Sequence, residues 1–240
     1  MTTPDLIERV DVVDELVGVR AGDPLDALRR RRPVTRDQLQ ASYDALFAPF
    51  DDAAFPLQDR LLVAAFATRS TADDATAAHY ADAATGADTQ RTEIVLAEAS
   101  TAATAGPFGA YREEGLAGES TDGRRYEPGL AARDTLGERL TAALAHAHLL
   151  TFRPREADAA AQSRLVDAGW SADGIVTLSQ LVSFLAFQQR VAAGLRALAP
   201  SVVERRFDSP ELAQRGSSRD ETPPVVEPVE TSASPEEVSA

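Results

Sequence analysis

The chain of 240 residues contains no cysteine and no lysine, and aromatic residues make up only 6% of it. The absence of cysteine excludes disulfides, thiolate metal ligands and catalysis by a thiol. Scarce aromatic side chains disfavour strands, and abundant alanine favours closely packed helices. The composition therefore predicts an all-α protein.

Positive charge and long apolar runs are also scarce. The formal net charge is −14 and the pI is near 4.6, so the surface repels phosphate backbones and we expect no nucleic-acid partner. No apolar run is long enough to span a bilayer, and the opening MTTPDLIERVDVV lacks the basic and apolar regions of a secretion signal. These features predict a cytoplasmic protein without a membrane partner.

Capping residues and apolar spacing divide the chain into helices. Thr3-Pro4 and Asp23-Pro24 each predict a helix start, and Thr35 with Gln38 predicts a capping box for a helix that ends near Leu46. Five later helix starts are predicted near Leu57, Thr71, Asp134, Pro154 and Ser171, and one more helix is predicted over TQRTEIVLAEASTAA.

The pattern predicts three regions: a helical N-terminal extension (1–50), a main domain (51–200) and a tail (201–240). The tail is acidic and rich in Pro, Ser and Glu, which predicts disorder. Within the main domain, residues 106–130 form a glycine-rich stretch that is long for a connecting loop. Its aromatic residues predict that it is docked on the helices; they are Phe108, Tyr111 and Tyr126.

Two segments of the main domain resemble each other. LQDRLLVAAFA, from Leu57, parallels LGERLTAALAH, from Leu136, and each is followed by an alanine-rich helix and then by a helix containing Ile-Val. The offset of roughly 80 residues suits a three-helix unit. We therefore expect two related units, over residues 55–105 and 134–199.

The second unit carries the pattern LxxAGxSxxxIV, followed by a long helix that contains a Gln-Arg pair. The matching residues are Leu165, Ala168, Gly169, Ser171, Ile175, Val176, Gln189 and Arg190. In this, the chain resembles peroxidase-related members of the alkylhydroperoxidase D-like, or carboxymuconolactone decarboxylase (CMD), superfamily, from about Leu57 to Leu198. The resemblance implies two related helical units and oligomers, often trimers or hexamers, that assemble through alanine-rich faces.

The DRLLVAAFA and AAHYADAA segments are similar to that family's active-site helices. In thiol-active members a glutamate precedes a Cys-x-x-Cys-x-x-x-His motif. If His79 occupies the position of the motif's histidine, the two cysteines fall on Ala72 and Ala75, and the glutamate falls near Arg60 or Leu61. Because both sulfur atoms are missing, we expect that this chain alone does not reduce peroxides.

Two functions remain open. The first is an assembly or partner subunit for a related cysteine-bearing, peroxidase-like protein, within a homo-oligomer or a hetero-oligomer of CMD-domain proteins. The second is a cysteine-free acid–base enzyme of the decarboxylase or lactone type, in which His79 and Asp82 are catalytic and Asp73 and Asp74 are also within reach. A pocket around His79 would favour the enzyme, and a packed His79 would favour the subunit. Neither function requires a cofactor.

The remaining candidate residues favour structural roles. His146 and His148 point about 200° apart on a helix, so one metal ion could not bind both, and we expect no metal site. Arg124 and Arg125, beside Tyr126, could hold an anionic substrate, but pairing with local acids is the simpler expectation.

Overall fold

The computed structural model describes residues 11–207, which form nine α-helices. Within this range there is no strand, and only an isolated antiparallel bridge joins Gly109 and Thr121. The all-α prediction is therefore confirmed for the described residues. The helices are α1 (Val12–Val17), α2 (Pro24–Arg30), α3 (Pro33–Phe47), α4 (Leu57–Thr71), α5 (Ala75–Ala87), α6 (Thr89–Ala102), α7 (Leu130–Phe152), α8 (Ala159–Asp167) and α9 (Ala172–Phe207).

Four helix starts differ from the sequence prediction. The start predicted near Thr71 is wrong, because Thr71 is the last residue of α4 and α5 begins at Ala75 after its cap Asp74. Helix α3 begins at Pro33, so Thr35 lies inside the helix and the predicted capping box is wrong. Proline fixes φ near the helical value and fits the first turn, which explains the earlier start. Helix α7 begins at Leu130 rather than Asp134, and α8 begins after Asp158, whose carboxylate accepts a hydrogen bond from the Ala161 amide at 2.9 Å.

Two predictions extend beyond the described residues. The helix start at Thr3-Pro4 lies outside them, and the first described helix follows Asp11, whose side chain accepts hydrogen bonds from the amides of Val13 and Asp14. At the other end, α9 continues to Phe207, past the expected boundary at residue 201. The remainder of the predicted tail, residues 208–240, lies outside the described part of the chain.

Helix α4 lies at the centre of the molecule and packs against α3, α5, α6, α7 and α9. All six residues from Leu62 to Ala67 are buried, with at most 5% of their surface exposed. Three of them are alanine, whose small side chain lets neighbouring helices approach closely on several sides. The helix is therefore apolar all round rather than amphipathic, as expected of a core helix.

Helices α1 to α3 pack on this core rather than standing apart from it. Helices α1 and α2 both contact α9, and α1 also contacts α5. A buried ion cluster joins the three helices: Nη1 of Arg29 donates to Oδ1 of Asp11 at 2.8 Å and to Oδ1 of Asp14, while Nη2 of Arg36 donates to Oδ2 of Asp14 at 2.6 Å. Burial alone would raise the pKa of Asp11, but the hydrogen bond from Arg29 and one from the Asp14 amide outweigh it, and the net shift is downward.

The break in α7 bears on the predicted repeat. Gly137 adopts φ +80° and ψ 164°, a conformation that glycine tolerates and that divides α7 into two helical pieces. The second piece starts at Glu138, roughly 80 residues after the start of α4, as the repeat predicts. Helix α4 packs on α5 and α6, and α7 packs on α8 and α9. The relation between the two units stays a prediction.

Two arginines bind the segment that leads into α4. Arg60 is near the start of α4, and Arg139 is near the start of the second piece of α7. Nε of Arg60 donates to the Phe55 carbonyl at 2.7 Å, and Nη2 of Arg139 donates to the Ala54 carbonyl at 2.7 Å. The Trp170 ring meets the Phe55 ring edge-on, with centroids 4.9 Å apart. This cluster fixes the entry to α4 against the second half of the chain.

The long loop between α6 and α7 is docked, as the sequence predicts. Tyr126 is 7% exposed, and its ring lies 5.1 Å from that of Phe66. A Cβ on Gly123 would meet the Phe108 ring at 2.3 Å, so this close approach requires glycine. The loop contains one short 3₁₀ turn, Glu114–Glu119.

Glu156, in a 3₁₀ turn after α7, holds this loop in place. Arg153 donates to Glu156 through Nε at 2.7 Å and through Nη2 at 2.5 Å, and Nη1 of Arg125 donates to it at 2.6 Å. Nη1 of Arg153 also donates to the Gly123 carbonyl at 2.7 Å. The hydrogen bond from Arg153, helped by Arg125 and opposed by burial, lowers the pKa of Glu156 from 4.5 to about 2.

Among the described residues no single helix is both long enough and apolar enough to cross a membrane. Residues Ala159–Asp167 and Ala172–Ala199 meet these criteria only as a pair, bent by 119°.

Removing the charge of Arg29 should strongly destabilise the fold. Arg29→Met leaves two buried carboxylates without their main partner, and we expect the free energy of unfolding to fall by about 3 kcal/mol. Urea denaturation at pH 7 measures this loss. Arg69→Met is the matched control, because Arg69 and its partner Asp73 are 35% and 76% exposed, and such exposed pairs contribute about 0.5 kcal/mol or less. Equal losses in the two variants would contradict the role given to the buried cluster.

Loop docking should depend on pH through Glu156. Its folded-state pKa is depressed, so its contribution to stability is present above the unfolded-state value of 4.5 and is lost as the pH falls toward about 2. We expect Glu156→Gln to lower the melting temperature at pH 7, and the difference from wild type to shrink as the pH falls from about 5 to about 2. Glu113→Gln, at an exposed loop position, should leave the melting curve unchanged. A pH-independent effect of Glu156→Gln would contradict this account.

Candidate functional site

His79, the residue that the sequence singles out, lies in a cluster of aromatic side chains. It is half-buried on α5, and its Nε2 shares a hydrogen bond of 3.2 Å with the Tyr43 hydroxyl of α3. The Tyr80 ring meets the imidazole edge-on, with centroids 5.0 Å apart. The Tyr80 hydroxyl points into the core and donates to Oε1 of Gln188 at 2.7 Å. His79 therefore joins α3 to α5 as a packed residue.

The electrostatic surroundings of His79 favour its neutral form. Burial lowers its pKa below the usual 6.5, and the negative charges of Glu15 and Asp82 oppose that shift without cancelling it. A neutral imidazole that hydrogen-bonds a phenol is suited to a structural role, and it keeps the capacity to accept or donate a proton.

The carboxylates near His79 in sequence are directed elsewhere or are exposed. Asp73 pairs with Arg69 one turn earlier. Asp74 caps α5 by accepting from the Ala77 amide at 2.9 Å, and it pairs with Arg196 at 3.2 Å. Asp82 is exposed and acts on His79 only through its charge. The catalytic assignment of His79 and Asp82 stays a prediction.

The other residues on which the resemblance was drawn have structural positions. Ala72 is the extended residue between α4 and α5, and Ala75 begins α5. Arg60, near the glutamate position, is 4% exposed, and it donates to the carbonyls of Phe55 and Leu46. Arg60 is thus a buried cation that holds two backbone segments together.

The other two histidines occupy different environments on α7. His148 is 2% exposed, and its Nε2 donates to the Ala102 carbonyl at 3.2 Å. Its ring packs between those of Tyr126 and Phe152, at 5.4 and 4.7 Å. His146 is 6% exposed and lines a cavity of about 340 Å³ between α7 and α8, which we call the α7–α8 cavity. No group of three potential metal ligands occurs among the described residues.

Arg125, one of the two loop arginines, takes part in anchoring the loop. Arg125 pairs with Glu156, as the simpler expectation holds, and it also lines the α7–α8 cavity. Tyr126 beside it donates to Oε2 of Glu98 at 2.6 Å, and burial together with that contact raises the pKa of the phenol well above its usual 10. These contacts anchor the loop on α6 and α7.

The sequence reasoning missed two residues of these environments. In the sequence, Tyr43 belongs to the apolar face of α3. No neighbouring residue in the sequence indicates that its hydroxyl contacts His79. Arg164 is an isolated cation in α8, and only the packing of α8 on α7 places it at the α7–α8 cavity. Both relations are tertiary, so no sequence spacing could have shown them.

Titration of His79 tests its role. We expect its imidazole pKa, followed through the Cε1–Hε1 NMR signal, to lie below 6.5 and to fall further in Asp82→Asn, because the Asp82 charge raises it. Asp88→Asn is a control of the same charge change on a residue that contributes nothing to the His79 shift. A pKa of His79 above 6.5 that returns to that value in Asp82→Asn would instead show a coupled acid–base pair.

Three comparisons with known proteins bear on identity. The chain matches no family model, no curated protein and no solved structure. The likeness to CMD-domain proteins therefore depends on the residues quoted above, and it supports a proposal about function rather than an assignment.

Proposed function

We propose that this chain is a CMD-like helical subunit without thiol chemistry, which works by assembling with another helical chain of the same kind. A cysteine-bearing, peroxidase-like relative is the partner that the resemblance suggests. The observation that carries the proposal is a fully exposed phenylalanine, Phe50, beside an open and charge-poor groove.

The groove lies between the end of α3 and the first turns of α9. Its volume is about 950 Å³, and we call it the α3–α9 groove. Its apolar lining residues are Ala45, Leu46, Pro49, Ile175, Val176 and Phe184. Phe50 follows Pro49 directly and has a relative exposure of 108%, while Val176 is 56% exposed. Burying a phenylalanine side chain contributes roughly 1.5–3 kcal/mol of free energy. A partner that covers Phe50 would therefore gain binding energy at this edge of the groove.

The charge distribution makes the α3–α9 groove the natural contact face for an acidic partner. Two copies of a chain with net charge −14 repel each other over most of their surfaces. The described lining of this groove holds one acid, Asp51, and one arginine, Arg60, which is buried and bonded to backbone carbonyls. Serine and glutamine side chains complete its rim. A like-charged helical chain meets the least repulsion there.

The packing of His79 supports the subunit over the His79 enzyme. The residue shares a hydrogen bond with Tyr43 and lines neither the α7–α8 cavity nor the α3–α9 groove. Alanines stand where thiol-active relatives carry cysteines, at residues 72 and 75. In an assembly, such a subunit contributes surface and stability, and a cysteine-bearing partner would supply the redox chemistry.

The mass of the assembly tests this proposal. By light scattering after size exclusion, we expect the purified chain, or its complex recovered from its natural source, to exceed the monomer mass of 25.6 kDa. Phe50→Asp should weaken association about tenfold or more, because it places a charge in the contact. Leu130→Asp, at a residue that is 81% exposed and outside the α3–α9 groove, is the matched control and should leave the mass unchanged.

Peptide mass analysis of the recovered complex identifies the partner. A second copy or a Cys-x-x-Cys-bearing helical relative supports the proposal. A chain that is monomeric both alone and in its native extract overturns it. Catalytic reduction of a hydroperoxide by the purified chain alone overturns it as well.

A further inference from the structure

The α7–α8 cavity has the size and lining of a ligand site. Its volume of about 340 Å³ lies at the small end of the range for small-molecule pockets. Alanine and leucine side chains of both helices form its apolar wall, and the loop residues 125–128 close one side. A cavity of this kind suits a small molecule with an apolar body.

His146 lines this cavity and has no structural partner among the described residues. It is 6% exposed, and neither of its ring nitrogens hydrogen-bonds another described residue. Those nitrogens are not among the fully enclosed, unpartnered side-chain atoms, which are Oγ1 of Thr76 and Nε2 of Gln188, so they stay accessible from the cavity. His148, two residues later, hydrogen-bonds the Ala102 carbonyl instead. An unpaired imidazole beside an open volume is therefore suited to bind something that enters that volume.

Arg164 provides a cation at the rim of the cavity. It is exposed on α8 and has neither a hydrogen bond nor an ion pair within the described part of the chain. By contrast, Arg125 and Arg153 in the same lining are held by Glu156. A guanidinium presents a rigid fork of donors that matches a carboxylate. Arg164 is thus the available anchor for an anion.

The acids in the lining limit the charge of that anion. Four arginines and three acids line the cavity; the acids are Glu127, Glu138 and Asp167. Glu156, outside the lining, pairs with Arg125 and Arg153, so the four arginines face four acids and no excess positive charge remains. This balance disfavours a dianion such as inorganic phosphate, and a monoanion would bind through Arg164.

From these observations we infer that the α7–α8 cavity binds a small organic carboxylate. The carboxylate pairs with Arg164, His146 hydrogen-bonds the ligand, and the alanine-lined wall covers its apolar body. This site is separate from His79, and it lies on other helices than the α3–α9 groove, so it does not depend on the proposed function.

The three histidines of the chain make the test direct, because each Cε1–Hε1 NMR signal can be followed separately. Hexanoate is the probe, with hexanamide as its uncharged analogue and inorganic phosphate as a dianion, all at constant ionic strength. We expect hexanoate to shift the His146 signal in a saturable way and to leave the His79 signal in place. The dissociation constant should be on the order of 1 mM, as for a ligand of about eight heavy atoms.

Two variants separate the contributions. Arg164→Gln should weaken hexanoate binding about tenfold and bring it close to that of hexanamide, because it removes the anchoring charge. Arg164 is exposed, so the variant is expected to fold, and its melting curve checks this. Arg190→Gln removes an exposed arginine of α9 outside the cavity and should bind hexanoate like the wild type.

The inference fails if hexanoate causes no saturable shift of the His146 signal. It also fails if hexanamide or phosphate binds as tightly as hexanoate, or if Arg164→Gln binds hexanoate unchanged. None of these results bears on the mass of the assembly, so the two proposals are tested independently.

Discussion

Helix α4 is enclosed on every side, and alanine makes that enclosure possible. Five other helices pack on it, so its middle part, Leu62 to Thr68, has no face exposed to solvent. Larger side chains at Ala64, Ala65 or Ala67 would push one of these neighbours away, because a close-packed interior has no spare volume. The positions of α5, α7 and α9, and of every side chain that they carry toward a site, follow from this packing.

Local chemistry explains which parts of the fold could be predicted from the sequence. Asp23-Pro24 begins α2 as predicted, because the fixed φ of proline acts on the first turn itself. The capping box predicted at Thr35 is wrong because Pro33, two residues earlier, is itself suited to the first turn of the helix. The contacts of Tyr43 with His79 and of Tyr126 with Glu98 join residues 36 and 28 positions apart, and only packing creates them. The candidate sites were less predictable than the helices for that reason.

The three histidines show how one residue type takes different roles on one scaffold. His79 links two helices through a phenol, His148 links two helices through a carbonyl, and His146 lines the α7–α8 cavity and hydrogen-bonds no other described residue. Burial lowers the pKa of each, so all three favour the neutral imidazole. The three histidines therefore do not differ in charge. They differ in the partner of the ring nitrogen.

Arg153 makes two kinds of contact. It binds the loop after α6 through the Gly123 carbonyl, and it forms part of the wall of the α7–α8 cavity. Cleavage of the loop backbone would therefore disturb the wall of the cavity through the Arg153 side chain. Protease accessibility of residues 106–129 and the integrity of the cavity are thus linked, and a molecule seated in the cavity would slow cleavage of a segment that it need not touch.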